Sequence, residues 1–222
     1  KTNADMVCAD HCCVDHETGQ KKEEKTNVAP CMDVPFSSVC DQLTVAMHNV
    51  TYRTDILQKN NIHLDNCFYT DAEYLLYPIP YVKTVTVAPQ TIYMYRVSLS
   101  TQSMNINSLQ RNCAMHELVL GHLSDAYAAY ENSGTSEPKT AAFLRRNIAR
   151  IAGMQLFIYL TATDSKAAKQ SAKAMVKTIK GKSETLYTEL NGAKSFKMLI
   201  STNFLLFPVL ASMKKREIGA NS

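Results

Sequence analysis

Two carboxylates stand close together in Thr70-Asp71-Ala72-Glu73. A threonine followed three residues later by a glutamate has the spacing of a helix N-terminal capping box, in which the Thr70 hydroxyl serves the Glu73 amide and the Glu73 side chain returns to Thr70. Asp71 then occupies the first helical position, where the positive end of the helix dipole favours a negative charge. A carboxylate fixed in this way by backbone, and projecting above a sheet, can accept a proton from a substrate hydroxyl. The same spacing also serves a plain helix start, and spacing alone does not choose between the two.

Other chemistry-bearing residues form weaker patterns. Cys8, His11, Cys12, Cys13 and His16 are of zinc-ligand type. Strand alternation sends Cys12 and Cys13 to opposite faces, however, and no second Cys-x-x-Cys completes a tetrahedral set. Buried strand cysteines are the better expectation, and no metal site is assigned to this chain. His116 and His122 fall on different faces of a predicted helix and read as ordinary helical residues. Lys166, Lys169, Lys173, Lys177 and Lys180 follow one side of another predicted helix. They form a solvated face or, with the apolar stretch Met198–Met213 and the flanking Lys214-Lys215-Arg216, a face that rests on anionic lipid.

The elements that must position these residues change character near residue 104. Met6–Val14 reads as a strand ended by the turn-forming Asp15-His16-Glu17-Thr18-Gly19, and Gln20–Asn27 as an exposed loop. Ser37–Met47 suggests a helix, His48–Tyr52 a strand, and Asp55–Asn60 a short helix capped by Thr54. Lys83–Val87 and Thr91–Val97 are β-rich and, parted by Ala88-Pro89-Gln90, suggest a hairpin or two neighbouring strands. From Asn105 onward the apolar spacing is helical: Leu109, Cys113, Leu120, Leu123 and Tyr127 share one stripe, Ser136-Glu137-Pro138 opens a second helix, and Asp164 or Ser165 opens a third. Met198–Met213 reads as a buried or interfacial helix. The expected organisation is therefore 1–104 as a mixed α/β part and 105–222 as a helical extension.

Composition narrows the classes. A chain of 222 residues with 45% hydrophobic content is globular in character, and a net charge of +4 with dispersed basic residues does not suggest nucleic-acid binding. Seven cysteines, an odd number, without a secretory signal suggest a reduced, intracellular protein. No run of about 18 apolar residues offers a membrane span. The start at Lys1 reads as a cut through a longer polypeptide or a processed product.

A series of motifs follows in order: His48-Asn49-Val50-Thr51-Tyr52-Arg53-Thr54-Asp55-Ile56-Leu57, Lys59-Asn60-Asn61-Ile62, Phe68-Tyr69-Thr70-Asp71-Ala72-Glu73-Tyr74, Pro78-Ile79-Pro80-Tyr81-Val82-Lys83-Thr84-Val85, Ile92-Tyr93-Met94-Tyr95-Arg96-Val97 and Gln102-Ser103. Over roughly residues 1–130 this succession resembles the acceptor-side portion of bacterial family 2 glycosyltransferases of the surface-polysaccharide type. The resemblance implies an α/β fold (α+β within these residues): part of a GT-A-like mixed sheet with flanking helices, followed by a C-terminal helical extension. It implies inverting transfer from a nucleotide-sugar donor to a saccharide or lipid-linked acceptor in cell-envelope synthesis, with Asp71 as catalytic base. Glu73, Arg96, Gln102 and Ser103 would contact donor or acceptor.

Such enzymes use a divalent metal, Mg or Mn, held by an Asp-x-Asp motif. None occurs here, so the resemblance places the metal and the nucleotide-binding half upstream of Lys1. By itself the chain is then expected to be inactive. An acceptor-binding or assembly module derived from the same fold is the alternative. A cytoplasmic location follows from the resemblance, with peripheral contact at the inner face of the membrane as a further expectation; the oligomeric state, donor sugar and acceptor are left open.

Overall fold

The computed structural model describes residues 2–99 and 102–220. Its elements form a mixed sheet flanked by helices and a C-terminal helical region, as the composition shift anticipates. Two compact units divide them, one built from 1–108 and 130–144, the other from 109–129 and 145–222.

In the first unit β1 (Met6–Asp15) is the central strand, because Met6, Cys8, Ala9 and Cys12 bury their side chains. It turns at Gly19, whose φ of 68° suits glycine, into β2 (Lys21–Glu24). The segment expected as an exposed loop thus contains a short antiparallel strand, with Val14 opposite Lys21. Charged residues on an edge strand of this kind discourage further pairing, which explains how so polar a sequence can be a strand. After β3 (Cys31–Pro35) comes only a single turn of helix, α1 (Phe36–Val39), not the helix expected over Ser37–Met47. Phe36 is buried against Phe143, ring centroids 5.2 Å apart. A 3₁₀ turn at Met47–Asn49 leads to β4 (Val50–Tyr52), then α2 (Thr54–Lys59) and α3 (Asp71–Leu76).

One continuous strand, β5 (Thr84–Val97), replaces the expected hairpin. It runs parallel to β1 along its whole length, so β2 and β4 share the opposite edge of β1, and β3 pairs antiparallel with the first part of β5. Ala9 faces Ala88, Asp10 faces Thr91 and His11 faces Tyr93, which leaves Pro89, Gln90 and Ile92 as extra residues. A bulge accommodates proline without losing a ladder bond, so Ala88-Pro89-Gln90 bends the strand rather than ending it. Asp5 fixes the start of the sheet. Its carboxylate accepts from the backbone N–H groups of Lys83 (2.8 Å) and Thr84 (3.1 Å) and pairs with Arg53 at 3.0 Å.

The second unit is helical. It holds most of α5 (Cys113–Glu131), which follows the short α4 (Ile106–Arg111), and most of α6 (Pro138–Thr161). α7 (Ser165–Lys182), α8 (Glu184–Gly192), α9 (Lys194–Ser201) and α10 (Phe207–Ala220) complete it. Asp164 caps α7 by accepting from the N–H groups of Lys166 and Ala167 at 3.0 and 2.9 Å. Leu120, Leu123, Ile148, Leu156, Ile179, Leu190 and Phe207 are among its buried residues. His116 is more than an ordinary helical residue: it is buried, and its Nδ1 lies 2.7 Å from Oε1 of Gln155. The stretch Met198–Met213 is not one helix. α9 stops at Ser201, and Asn203 and Phe204 adopt left-handed φ values of 47° and 62° before α10 begins.

Candidate functional site

α3 is only six residues long, too short to be stable without tertiary anchors. Two tyrosines supply them. The Tyr52 hydroxyl, on β4, donates to the Leu75 carbonyl at 2.7 Å, and the Tyr74 hydroxyl, on α3, donates back to the Val50 carbonyl at 3.1 Å. Their rings meet edge-on with centroids 5.5 Å apart. Burial pushes the Tyr52 phenol well above its ordinary range, so it stays a protonated donor at any physiological pH.

Glu73 is the third anchor. It is fully buried, and its carboxylate accepts from the Asp65 N–H at 2.9 Å and the Tyr77 hydroxyl at 3.0 Å. The expected capping box is therefore absent. Thr70 sits in helical backbone conformation, makes no side-chain cap, and has its hydroxyl 3.5 Å from the Cys67 carbonyl. Glu73 has turned inward to hold the Asp65 loop instead of returning to Thr70, because a buried carboxylate needs donors on both oxygens.

With Glu73 committed to the interior, Asp71 is left at the first turn. Its side chain is exposed and has no hydrogen-bond or ion-pair partner among the described residues. Tyr69, two residues before it, holds a φ of 72°, in the left-handed region where a bulky residue is strained. The Tyr69 hydroxyl donates to the Ser103 carbonyl at 3.2 Å, which brings the Gln102–Ser103 turn to the approach to α3. Gln102 staples that turn: its side-chain amide donates to the Arg96 carbonyl at 2.7 Å, and its Oε1 accepts from the Leu99 N–H at 3.3 Å. Arg96 is exposed on β5. The structure thus ties Tyr69 to the Ser103 backbone and Gln102 to the Arg96 backbone, with Asp71 two residues after Tyr69 and Glu73 buried in the same helix.

A cluster that sequence reasoning missed lies at the sheet. His11 on β1 meets His48 edge-on, centroids 4.1 Å apart, and His48 stacks on Tyr95 (4.7 Å) and Tyr93 (5.2 Å) of β5. His11 Nδ1 and His48 Nε2 are buried without a hydrogen-bond partner. Burial lowers the pKa of both imidazoles; Glu24 and Asp10 partly offset this at His11, and His11 reinforces it at His48. The two histidines stand far apart in sequence: the pairing of β1 with β4, which His48 shortly precedes, brings them together, and the pairing of β1 with β5 adds the two tyrosines.

The metal that the resemblance implies does not fit these residues. The chain has no Asp-x-Asp, the motif by which the resemblance would hold the ion. Burial and the neighbouring Cys31 push the Cys8 thiol up to about 12, far from the thiolate a zinc ion would need. Comparison with protein-family models, curated proteins and solved structures finds no match to the chain.

Proposed function

We propose that the first unit carries the acceptor and base side of an inverting glycosyltransferase, acting from the cytoplasmic side on a saccharide or lipid-linked acceptor. The observation that carries the reading is the exposed, unpartnered Asp71 carboxylate on a helix held by three anchors, beside a strained residue. In this reading the acceptor hydroxyl gives its proton to Asp71 as its oxygen bonds to the anomeric carbon of a nucleotide sugar. The bond from that carbon to the diphosphate breaks on the opposite face, and the electron pair leaves with the nucleoside diphosphate. In the same reading Arg96, a fork of donors suited to diphosphate oxygens, meets that leaving group, and the Ser103 hydroxyl bonds a sugar hydroxyl. Gln102 shapes the loop that carries Ser103. This reading gives the donor's base, its sugar pocket and a divalent metal to no residue of the first unit.

General-base help of this kind is worth about 10² to 10⁴-fold. Asp71→Asn in the native protein is expected to lower turnover by that factor, read as nucleoside diphosphate release with a panel of nucleotide sugars and saccharide acceptors, while donor binding by calorimetry stays unchanged. Full activity in the variant removes the assignment. Acceptor binding without turnover in the unmodified protein favours the non-catalytic acceptor-binding module.

A further inference from the structure

The turn between α9 and α10 presents apolar side chains to solvent. Leu205 is 74% exposed, Val209 55% and Met213 53%, at intervals of four along one side, with Leu206 beside them. Phe204, Phe207 and Ala211 point the other way and are buried. α10 is thus apolar on its inner face, as a packed helix must be, and apolar again on part of its outer face. The left-handed backbone at Asn203 and Phe204, strained for residues other than glycine, turns Leu205 and Leu206 outward.

Cations bracket this strip. Nζ of Lys173 lies 5.9 Å from the centre of the Phe204 ring, so α7 borders the turn, and Lys169 and Lys166 continue the same side of that helix. Lys214-Lys215-Arg216 follow directly after Met213. Glu217 pairs with Lys214 at 2.6 Å, and α7 itself carries no acidic residue. The strip spans about 12 Å, from the rise of 1.5 Å per residue, which is a length that lies in an interface rather than crosses it. No described helix is long and apolar enough to cross a membrane.

We propose that this face of the second unit docks on the surface of an anionic lipid bilayer, with Leu205, Leu206, Val209 and Met213 entering the headgroup boundary and the flanking cations on the lipid charge. Charge complementarity selects this occupant over a second copy of the chain. Strip-to-strip pairing of two copies sets like cations against each other at both ends, whereas anionic headgroups neutralise them. Each basic residue near such a surface strengthens binding about fivefold, and the screening length shrinks to about 3 Å in 1 M salt. Bilayer contact does not depend on the reaction assigned to the first unit.

Co-flotation of the 222-residue chain with phosphatidylcholine vesicles, with and without 30% phosphatidylglycerol, tests this directly. Binding is expected to the anionic vesicles, at least tenfold stronger than to neutral ones and released by 1 M salt. Leu205→Asp with Val209→Asp should abolish it, and Lys215→Glu with Arg216→Glu should weaken it more than tenfold, both with unchanged thermal melting. Because the chain has no tryptophan, Leu205→Trp supplies a single indole, excited apart from the tyrosines, whose emission should shift to the blue on anionic vesicles alone. Absent flotation, equal binding to neutral vesicles, or an unshifted Trp emission overturns the proposal. So does a dimer in sedimentation that Leu205→Asp with Val209→Asp dissociates while vesicles go unbound.

Discussion

The Tyr69 hydroxyl donates to the Ser103 carbonyl at 3.2 Å, across a sequence separation of 34 residues, and Tyr69 does this from a left-handed backbone position. One bond therefore joins the approach to the Asp71 helix with the turn that Gln102 staples. Tyr69→Phe removes the donor and leaves the ring. Because the bond is only partly buried, stability should fall by no more than about 1 kcal/mol. If the proposed transfer holds and Ser103 and Asp71 act on one substrate, the loosened turn should raise the KM for that acceptor severalfold, with donor affinity unchanged. Unaltered kinetics in Tyr69→Phe would separate the turn from the site.

Glu73 and Asp71 should respond in opposite ways to substitution. Glu73→Ala removes the charged acceptor of the Asp65 N–H and the Tyr77 hydroxyl, and a hydrogen bond to a charged group is worth about 1.5–3 kcal/mol. A loss of roughly 2–5 kcal/mol is expected from urea denaturation of the chain. Asp71→Asn gives up only the charge–dipole interaction at an exposed first turn, about 0.3–1 kcal/mol. Equal stability losses in the two variants would contradict the division of labour between a buried anchor and an exposed carboxylate.

That division was only half legible in the sequence. Thr70 and Glu73 have capping-box spacing, and a helix does start at Asp71, but spacing cannot tell that Glu73 finds better partners in the Asp65 amide and the Tyr77 hydroxyl than in Thr70. Helical stripes such as Leu120, Leu123 and Tyr127 were readable because period and burial agree within one element. Pro89 misled for a physical reason: proline usually punctuates, yet a register shift against β1 lets β5 carry it through. The same long-range pairing sets His11 within reach of Tyr93, and no local pattern encodes it.

The reciprocal bonds of Tyr52 and Tyr74 offer a test of what holds α3. Tyr52→Phe leaves the Leu75 carbonyl without its donor in a buried setting, whereas Tyr74→Phe acts at a half-buried position. The first should cost about 1–2 kcal/mol and the second less than 1, both measured by chemical denaturation. Native-state hydrogen exchange should show the amides of α3 opening more readily in Tyr52→Phe than in the unmodified chain. Unchanged exchange there would mean that Glu73 alone holds the helix.

His11 and His48 give the protein a pH dependence in a window free of carboxylate titration. Both imidazoles titrate near 6.5 when unfolded, and burial lowers both in the folded chain. Between the folded values and 6.5 the unfolded chain binds more protons than the native one, so stability falls as pH drops through that window and is fully present above it. Carboxylates held low by their partners, Asp55 by Arg53 and Lys59 among them, lose their contribution only below the ordinary carboxylate range of about 4. Melting temperature should therefore be level from pH 8 to 7 and decline between 6.5 and 5. His48→Phe keeps a ring against Tyr93 and Tyr95 while removing both the ionisable group and the orphaned Nε2. Relief of that orphan is worth about 1 kcal/mol at pH 7, and the advantage over the unmodified chain should widen as the solution is acidified. Parallel melting curves for the two proteins from pH 8 to 5 would show that His48 does not carry the decline.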